Sequence, residues 1–211
     1  MSKVLYITAN PKQENKSFGL RVGREFINEY KKLNKDDVIE EIDLFDTYVP
    51  MVDKDILNAW EKLASGTEFQ NLKEEEKNKL AAFSSLTDQF INADKYVIVT
   101  PIWNFTIPAV MKAYLDTVCV AGKTFKYTEN GPVGLLQGKK VIHVQASGGF
   151  FSEEPGKNLD FGTNYIRTIM NFIGITDYET IYVEGMNQFP ERAESFLDKA
   201  INNVDELVLS F

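Results

Sequence analysis

Segment 101–108 places two large aromatic side chains, Trp103 and Phe105, between two prolines and directly after the apolar run 96–99. The prolines restrict the backbone of the segment, and the aromatic rings offer flat apolar surfaces to a ligand. The same rings could instead cover the edge of the core. The segment therefore has two interpretations, a ligand wall and a core cover, and its own residues do not decide between them.

Segment 10–17 is polar and ends in Lys16 and Ser17, immediately before a pattern of helical spacing. The free N–H groups at a helix N-terminus favour a phosphate, and these two side chains add a charge and a hydroxyl. An ordinary loop with a serine cap is the alternative. The segment has neither G-x-x-x-x-G-K-[ST] nor G-x-G-x-x-G, so it predicts neither a nucleoside-triphosphate loop nor the dinucleotide fingerprint.

Segment 146–151 contains the pair Gly148-Gly149, followed by Phe150 and Phe151. Two adjacent glycines let a backbone approach a flat ligand closely. A flexible turn without a ligand is the alternative interpretation.

The chain has a single histidine, His143, and a single cysteine, Cys119, and each lies in an apolar pattern outside these three segments. No metal-ligand cluster and no Ser/His/Asp or Cys/His arrangement is therefore predicted. We expect a structural role for His143 and name no catalytic residue and no metal ligand.

Apolar runs and helical spacings alternate along the chain with no break in composition and no repeat, which predicts one domain over residues 1–211. We expect an α/β three-layer sandwich, with helices on both faces of a five-stranded parallel sheet in the order 2-1-3-4-5. The three segments follow the first, third and fourth strands, so they should meet at the switch point of the sheet. The predicted strands are 4–7, 38–44, 95–100, 139–145 and 178–183.

Three further patterns carry expectations about surfaces. The helix predicted from Pro108 to residue 121 is apolar almost all round except for Lys112, Asp116 and Thr117, which suggests burial against a second subunit and hence a homodimer. The charged run 73–79 is interpreted as a solvated helix face. The long connection 45–65 is interpreted as a lid or a pocket wall.

The formal net charge of −8, from 23 basic and 31 acidic residues, argues against a nucleic-acid partner. With this negative net charge, a bound phosphate would have to be held by backbone N–H groups and a few side chains rather than by a general positive field. No apolar run is long enough to span a bilayer, so no membrane association is expected. The chain enters a strand without a secretory signal, and its single cysteine favours a cytoplasmic location.

A predicted site with phosphate donors and stacking aromatics, but without its own reactive groups, indicates a bound cofactor that supplies the chemistry. In this fold class that cofactor is flavin mononucleotide (FMN). We expect its phosphate at the Ser17 helix and its ring between segments 101–105 and 147–149.

Several motifs, taken together, resemble the FMN-dependent NADH-azoreductases, a flavodoxin-like family related to the NAD(P)H quinone reductases. The similarity extends over nearly the whole chain. The motifs that carry it are Val4-Leu5-Tyr6-Ile7 with Asn10 and Ser17-Phe18-Gly19, then Pro101-Ile102-Trp103-Asn104-Phe105, Phe125 to Pro132 with the string Tyr-Thr-Glu-Asn-Gly-Pro, Ser147-Gly148-Gly149 and Phe172-Ile173-Gly174-Ile175.

The resemblance implies a homodimer with two FMN sites at the interface and NADH as co-substrate. It implies that Tyr127 reaches into the substrate pocket of the partner, and that the backbone of 102–105 holds the reactive side of the ring. The predicted cofactor-binding residues are Asn10, Lys16, Ser17, Phe18, Gly19, Pro101, Ile102, Trp103, Asn104, Phe105, Ser147, Gly148 and Gly149. The predicted substrate pocket consists of Trp103, Phe105, Tyr127, Phe150 and Phe151.

The implied reaction is a ping-pong transfer of two electrons. NADH gives hydride to the flavin N5, NAD⁺ leaves, and a quinone or an azo compound then takes the hydride at the same place. An azo bond needs two such cycles to give two aromatic amines. Three positions depart from many family members, which have Ser, Tyr and Arg where this chain has Asn10, Trp103 and Ser147.

Two alternatives belong to other functional classes. A flavodoxin-type electron carrier would bind FMN without turning over a substrate, but the chain lacks a Ser/Thr-rich phosphate loop and has the additional connection 45–65. A flavin-free α/β scaffold or regulator would use the same fold without a cofactor.

Overall fold

A computed structural model describes all 211 residues and has one five-stranded parallel sheet at its centre. Its order along the sheet is β2-β1-β3-β6-β7, which confirms the predicted 2-1-3-4-5 arrangement because β4 and β5 form a separate hairpin. The strands of the sheet are β1 (Lys3–Thr8), β2 (Val38–Asp43), β3 (Lys95–Pro101), β6 (Lys140–Ala146) and β7 (Asp177–Val183).

Six α-helices cover the two faces of the sheet. Side chains alternate along each strand, so Leu5 and Ile7 face the core that is shared with α3, α4 and α5, while Val4 and Tyr6 face the core shared with α1 and α6. None of the helices combines the length and the hydropathy needed to cross a bilayer. The helices are α1 (Phe18–Leu33), α2 (Lys54–Ala64), α3 (Glu74–Ile91), α4 (Ala109–Val118), α5 (Phe161–Ile173) and α6 (Ala193–Ser210).

Residues 125–134 form an antiparallel hairpin of β4 (Phe125–Thr128) and β5 (Gly131–Gly134). The sequence analysis expected only a small connection with a turn here. The turn is possible because Gly131 adopts a φ of 105°, a region that residues with side chains avoid. The hairpin projects Tyr127, whose residue surface is 75% exposed, away from the sheet.

Helix α4 is shorter and better covered within the chain than its sequence suggested. It ends at Val118, and Met111, Tyr114 and Leu115 are buried in the core shared with α3 and α5. Thr117 does not belong to the exposed polar patch, because it is fully buried and its carbonyl accepts a 2.6 Å hydrogen bond from Thr87 of α3. The burial of α4 within its own chain therefore does not by itself require a second subunit.

The charged run 73–79 is not simply a solvated face. The Glu76 carboxylate is buried and accepts hydrogen bonds of 2.7 and 2.9 Å from Lys62 of α2. Lys79 lies 2.6 Å from the carboxylates of both Asp53 and Asp55. The connection 45–65 thus folds back onto α3 through ion pairs and a small apolar cluster. Its first residues, Phe45 to Thr47, line cavities at the carboxyl end of β2.

Candidate functional site

Backbone hydrogen bonds that continue the sheet beyond its strands bring the three predicted segments to one edge. The N–H of Ala9 donates to Val99 (3.0 Å), that of Ile102 to Ala146 (2.8 Å) and that of Ser147 to Val183 (2.9 Å). The loops that follow β1, β3 and β6 therefore start side by side at the switch point, where open α/β sheets bind ligands.

The first loop presents the N-terminus of α1. The Ser17 hydroxyl accepts from the N–H of Leu20 (3.3 Å) and from the side-chain amide of Asn10 (3.0 Å), and it keeps its own proton for an acceptor. The carbonyl of the Asn10 side chain is already bound to the N–H of Lys12 (3.0 Å). Asn10 thus braces the loop from a buried position, while the first N–H groups of α1 have no acceptor within the helix.

Gly19 lies in the contact between α1 and the sheet. A Cβ atom at this position would be 2.8 Å from the Cβ of Ala146 and 3.7 Å from Val99. The absence of a side chain therefore lets the start of α1 lie directly against β3 and β6. Gly19 thus determines how close the N-terminus of α1 lies to the sheet. The neighbouring residue, Phe18, is half-buried.

The second loop contains a tight turn with an uncommon backbone. Trp103 and Thr106 exchange backbone hydrogen bonds of 2.8 and 3.2 Å, and both residues between them have positive φ, 50° at Asn104 and 69° at Phe105. Two-residue turns of this class favour Asn and Gly at these positions. Asparagine tolerates the left-handed region, whereas a bulky side chain such as Phe105 is strained there.

The aromatic rings of this turn do not cover the core. Trp103 is 44% and Phe105 is 50% exposed, so the ligand-wall interpretation fits the structure better than the core-cover interpretation. Phe45, which follows β2, lies edge-on to Trp103 with ring centroids 6.1 Å apart, and Phe151 lies 6.4 Å from Phe105. Four aromatic side chains from three loops thus form one apolar wall.

The third loop is held in place rather than flexible. The Gly148 carbonyl accepts from the N–H groups of Asn187 and Gln188, both at 3.0 Å, and a Cβ at Gly148 would be 2.7 Å from the Asn187 side chain. The Ser147 hydroxyl donates to the Gly149 carbonyl at 2.8 Å. The loop from 184 to 189, which the sequence analysis did not assign to the site, therefore fixes the glycine pair.

Two residues of the predicted substrate pocket lie apart from this wall. The ring of Phe150 packs against Phe196 (5.6 Å between centroids) and Phe189 (6.2 Å), on the side of α6. Tyr127 contacts Phe125 (5.4 Å) on the hairpin. The structure therefore brings Trp103, Phe105 and Phe151 together, but not Phe150 or, within one chain, Tyr127.

Two cavities flank the three loops. One, of about 760 Å³, lies between the first loop and the end of β2, and its lining includes Lys12, Arg24 and Phe45. The other, of about 560 Å³, lies beyond the Trp103 turn and is lined by residues such as Pro108, Lys112 and Tyr165. The sequence analysis interpreted the connection 45–65, which begins with Phe45, as a lid or a pocket wall, but it did not assign Phe45 to the substrate pocket. It missed Tyr165, which carries no motif.

The single histidine and the single cysteine are both held in their neutral forms. Burial, reinforced by the charge of Arg167, lowers the pKa of His143 to about 3. Its ring bridges Thr100 (2.9 Å) and Tyr178 (2.8 Å), so it ties neighbouring strands together just before the second loop. Burial, with a smaller effect of Asp116, raises the pKa of Cys119 to about 11, so its thiol stays protonated at neutral pH.

Comparisons with known proteins agree with this geometry. The family profile described as flavodoxin-like fold matches residues 2–208. An FMN-dependent NADH:quinone oxidoreductase of Bacillus cereus is 52% identical over 211 residues, which cover 100% of both chains. An azoreductase crystal structure from Bacillus anthracis superposes with a TM-score of 0.92 at 36% identity, with 100% of both chains covered.

An FMN-dependent NADH-azoreductase of Bacillus anthracis, solved in complex with FMN, has a TM-score of 0.89 at 36% identity and covers 99% of this chain and 100% of its own. Similarity of this extent, together with the sheet order and the three converging loops, identifies the family. The chain belongs to the flavodoxin-like fold family, and within it to the group of the Bacillus FMN-dependent NADH:quinone oxidoreductases and azoreductases.

Proposed function

We propose that this protein is an FMN-dependent NADH:quinone oxidoreductase that also reduces azo compounds. The observation that carries the proposal is the exposed aromatic wall beside a helix N-terminus at the switch point of the sheet. The names of its relatives, which are about half identical over their full length, support the same activity.

The residues at this edge fit FMN. The α1 N-terminus, with the Ser17 hydroxyl, suits the phosphate, and exposed Lys16 adds a local positive charge in a chain whose net charge is −8. The flat ring suits the space between the Trp103 turn and the Gly148-Gly149 loop. When bound, FMN supplies the two-electron redox chemistry between NADH and the acceptor.

The protein's own residues would bind and orient the cofactor and the flat substrates. The braced loops fix the position of the ring, so that donor and acceptor meet it in one geometry. Trp103, Phe105 and Phe151 provide an apolar surface on which flat substrates stack. No side chain of the wall can donate a proton, so we assign the proton that completes acceptor reduction to water.

The stoichiometry follows from the chemistry of the acceptors. A quinone needs two electrons and two protons to become a hydroquinone, which requires one NADH. An azo bond needs four electrons and four protons to give two amines, which requires two NADH and passes through a hydrazo compound. Because donor and acceptor would use the same wall in turn, we propose ping-pong kinetics.

We also propose a homodimer and a cytoplasmic location. The dimer is supported by the seven large apolar side chains that segment 45–69 leaves exposed, since apolar surface of this kind often marks a contact with another protein. In such a dimer Tyr127, which is exposed on the hairpin, would reach into the substrate pocket of the partner subunit. The location is supported by the single cysteine. The exposed side chains of the segment are Phe45, Tyr48, Met51, Val52, Leu57, Trp60 and Phe69.

Anaerobic reduction of the purified, FMN-loaded protein tests the function. NADH should bleach the flavin absorbance, and quinones or azo dyes should restore it over many cycles, with two NADH consumed per azo bond. Initial rates at several acceptor concentrations should give parallel double-reciprocal lines. Bleaching without repeated turnover would instead identify an electron carrier, and a protein that binds no flavin would refute the proposal.

A further inference from the structure

Asp160 carries a buried carboxyl group that the function proposed above does not use. The residue is 2% exposed and stands at the N-cap of α5. One of its oxygens accepts from the N–H of Thr163 at 2.9 Å. The other accepts from the side-chain amide of Gln145 and from the hydroxyl of Tyr182, both at 3.1 Å. One carboxyl group therefore joins α5 to β6 and β7.

The cap of α5 does not by itself account for a carboxyl group at this position. None of its three hydrogen-bond donors carries a charge, and burial of a carboxyl group without a cationic partner costs free energy. Gln145 adds to this cost, because its buried Oε1 has no hydrogen-bond partner. A serine would cap the helix without burying either group.

The residues that follow two of these partners along the chain hold the second loop of the site. Phe161, which follows Asp160, donates its N–H to the carbonyl of Phe105 at 3.1 Å. Ala146, which follows the glutamine, accepts from the N–H of Ile102 at 2.8 Å. The hydrogen bond between the glutamine and Asp160 therefore connects the two points at which the turn is held.

The third loop is held in the same way. Val183, which follows Tyr182, accepts from the N–H of Ser147 at 2.9 Å. Each partner on the sheet thus precedes a backbone anchor of a loop. The second loop depends most on its anchors, because Phe105 has a φ of 69°, which a bulky residue keeps only when its surroundings hold it there.

We propose that Asp160 is a positioning residue for the flavin, which acts through the turn that contains Trp103 and Phe105. Its bonds to Gln145 and Tyr182 fix the three backbone anchors relative to one another, so that the strained turn keeps one conformation before FMN binds. A turn that is already formed does not have to be ordered when the ring arrives. The inference deepens the proposed function and rests on its FMN site.

Hydrogen exchange of the turn in FMN-free protein tests the proposal without the cofactor. Asp160→Ser keeps an oxygen that can cap α5 but removes the bonds to residues 145 and 182. Mass spectrometry of peptides that cover 102–106 should show exchange about tenfold faster than in wild type, because the turn opens locally. Peptides from β1 should exchange at the wild-type rate, which separates local opening from a loss of global stability.

The same variant should bind FMN about tenfold more weakly in a fluorescence titration. The visible circular dichroism of the bound flavin should also change, because it reports how the protein holds the ring. A merely structural role of Asp160 would lower the free energy of unfolding and move neither quantity.

Gln145→Met tests the other member of the pair, since it keeps the length of the side chain and removes the amide. It should also weaken FMN binding. If the two residues act through one contact, the double variant with Asp160→Ser should bind FMN no more weakly than the weaker of the two single variants. Additive losses of affinity would contradict the proposal.

The control variant is Asp37→Ser, just before β2. This carboxylate also accepts from a backbone N–H, that of Ser2, and from a tyrosine hydroxyl, that of Tyr30, both at 2.6 Å, but it lies at the opposite edge of the sheet. The control should lower the free energy of unfolding and leave both the exchange of the turn and the FMN affinity unchanged.

Exchange of the turn at the wild-type rate in Asp160→Ser, or equal changes in the control, would overturn the proposal. So would wild-type FMN affinity in both Asp160→Ser and Gln145→Met. Wild-type protein that binds no FMN, but whose turn exchanges faster in Asp160→Ser, would refute the proposed function and leave the role of Asp160 in holding the turn.

Discussion

Residue by residue, the proposed site consists of side chains that shape a surface, and we assign no reaction to them. Trp103 contacts Phe45 and is nearly half exposed, so its ring is free to contact a bound acceptor. The loop backbone is fixed separately, by the hydrogen bond of Ile102 to Ala146. The contribution of the Trp103 ring can therefore be separated experimentally from that of the loop backbone.

Trp103→Ala should alter the acceptor preference more than the flavin content. We expect the ratio of kcat/KM for a large azo dye to that for a small quinone to change about tenfold, since a lost aromatic contact costs about 1 kcal/mol. The flavin content is read from the absorbance spectrum of the purified protein. Loss of flavin with an unchanged acceptor ratio would assign the ring to cofactor binding instead.

The positive φ of Phe105 should cost stability that a glycine would recover. Phe105→Ala removes the ring but keeps a Cβ at a φ of 69°, while Phe105→Gly removes both. We expect the glycine variant to have a free energy of unfolding about 1 kcal/mol higher than the alanine variant. Urea denaturation measures the difference. Equal stability of the two variants would mean that the backbone of the turn leaves the positive φ once the ring is removed.

His143 should make stability depend on pH in a window where no other side chain of this chain ordinarily titrates. Its folded pKa of about 3 is below the usual histidine value, so the unfolded state binds the proton more strongly between these two pKa values. The free energy of unfolding should therefore fall as pH decreases from about 6 to 5, by about 1 kcal/mol.

The comparison is with His143→Gln, which keeps a polar side chain but cannot be protonated. Urea denaturation at pH 7, 6 and 5, with FMN at a constant saturating concentration, should give a smaller decrease for this variant than for wild type. Parallel decreases would show that carboxylates, rather than His143, cause the loss.

At the level of elements, α1 is positioned in part by two glycines on the face that it turns to the sheet. Gly19 and Gly23 both lie where a Cβ would overlap a neighbour, at 2.8 Å from Ala146 and 2.5 Å from Val99. Closer packing of the helix places its N-terminus beside the other two loops. Helix–sheet packing and the phosphate site are thus linked.

Gly19→Ala should destabilise the protein by about 1–3 kcal/mol through overpacking, although alanine favours helix formation. It should also weaken FMN binding, because the helix N-terminus would shift from the sheet. Adding Ala146→Gly, which removes the atom that the new Cβ would meet, should restore most of both losses. Fluorescence titration measures FMN binding, and urea denaturation measures the free energy of unfolding. Strictly additive effects of the two substitutions in the double variant would argue against the contact between residues 19 and 146.

At the level of the whole molecule, seven of the exposed large apolar side chains lie on segment 45–69, and none lies on α4. The helix that prompted the dimer expectation is covered by its own chain. A dimer proposed from this structure therefore has its contact at the segment that follows β2.

Size-exclusion chromatography with light scattering at micromolar concentration should give twice the chain mass of 24.0 kDa. Leu57→Asp, at a residue that is 55% exposed on α2, should shift the protein toward the monomer mass. Leu209→Asp, at a residue that is 77% exposed on α6, should not. A monomer mass for wild type would refute the dimer.

The sequence by itself determined the fold and which loops meet at the edge of the sheet where we propose the site. Buried parallel strands read as apolar runs, and strand order then decides which loops are neighbours. Segments 10–17, 101–108 and 146–151 could be selected in this way because each directly follows a strand. The sequence also led us to expect no Ser/His/Asp or Cys/His arrangement in these segments, because the single histidine and the single cysteine lie in apolar patterns outside them.

Only the tertiary structure decided which way the side chains point and what holds the loops. Phe150 and Phe151 are adjacent, yet one ring packs against α6 and the other lies near Phe105. The clamp on Gly148 by residues 187 and 188, and the contact of Phe45 with Trp103, join residues about 40 and 60 positions apart. Such contacts arise from packing between distant parts of the chain, and local periodicity carries no information about them.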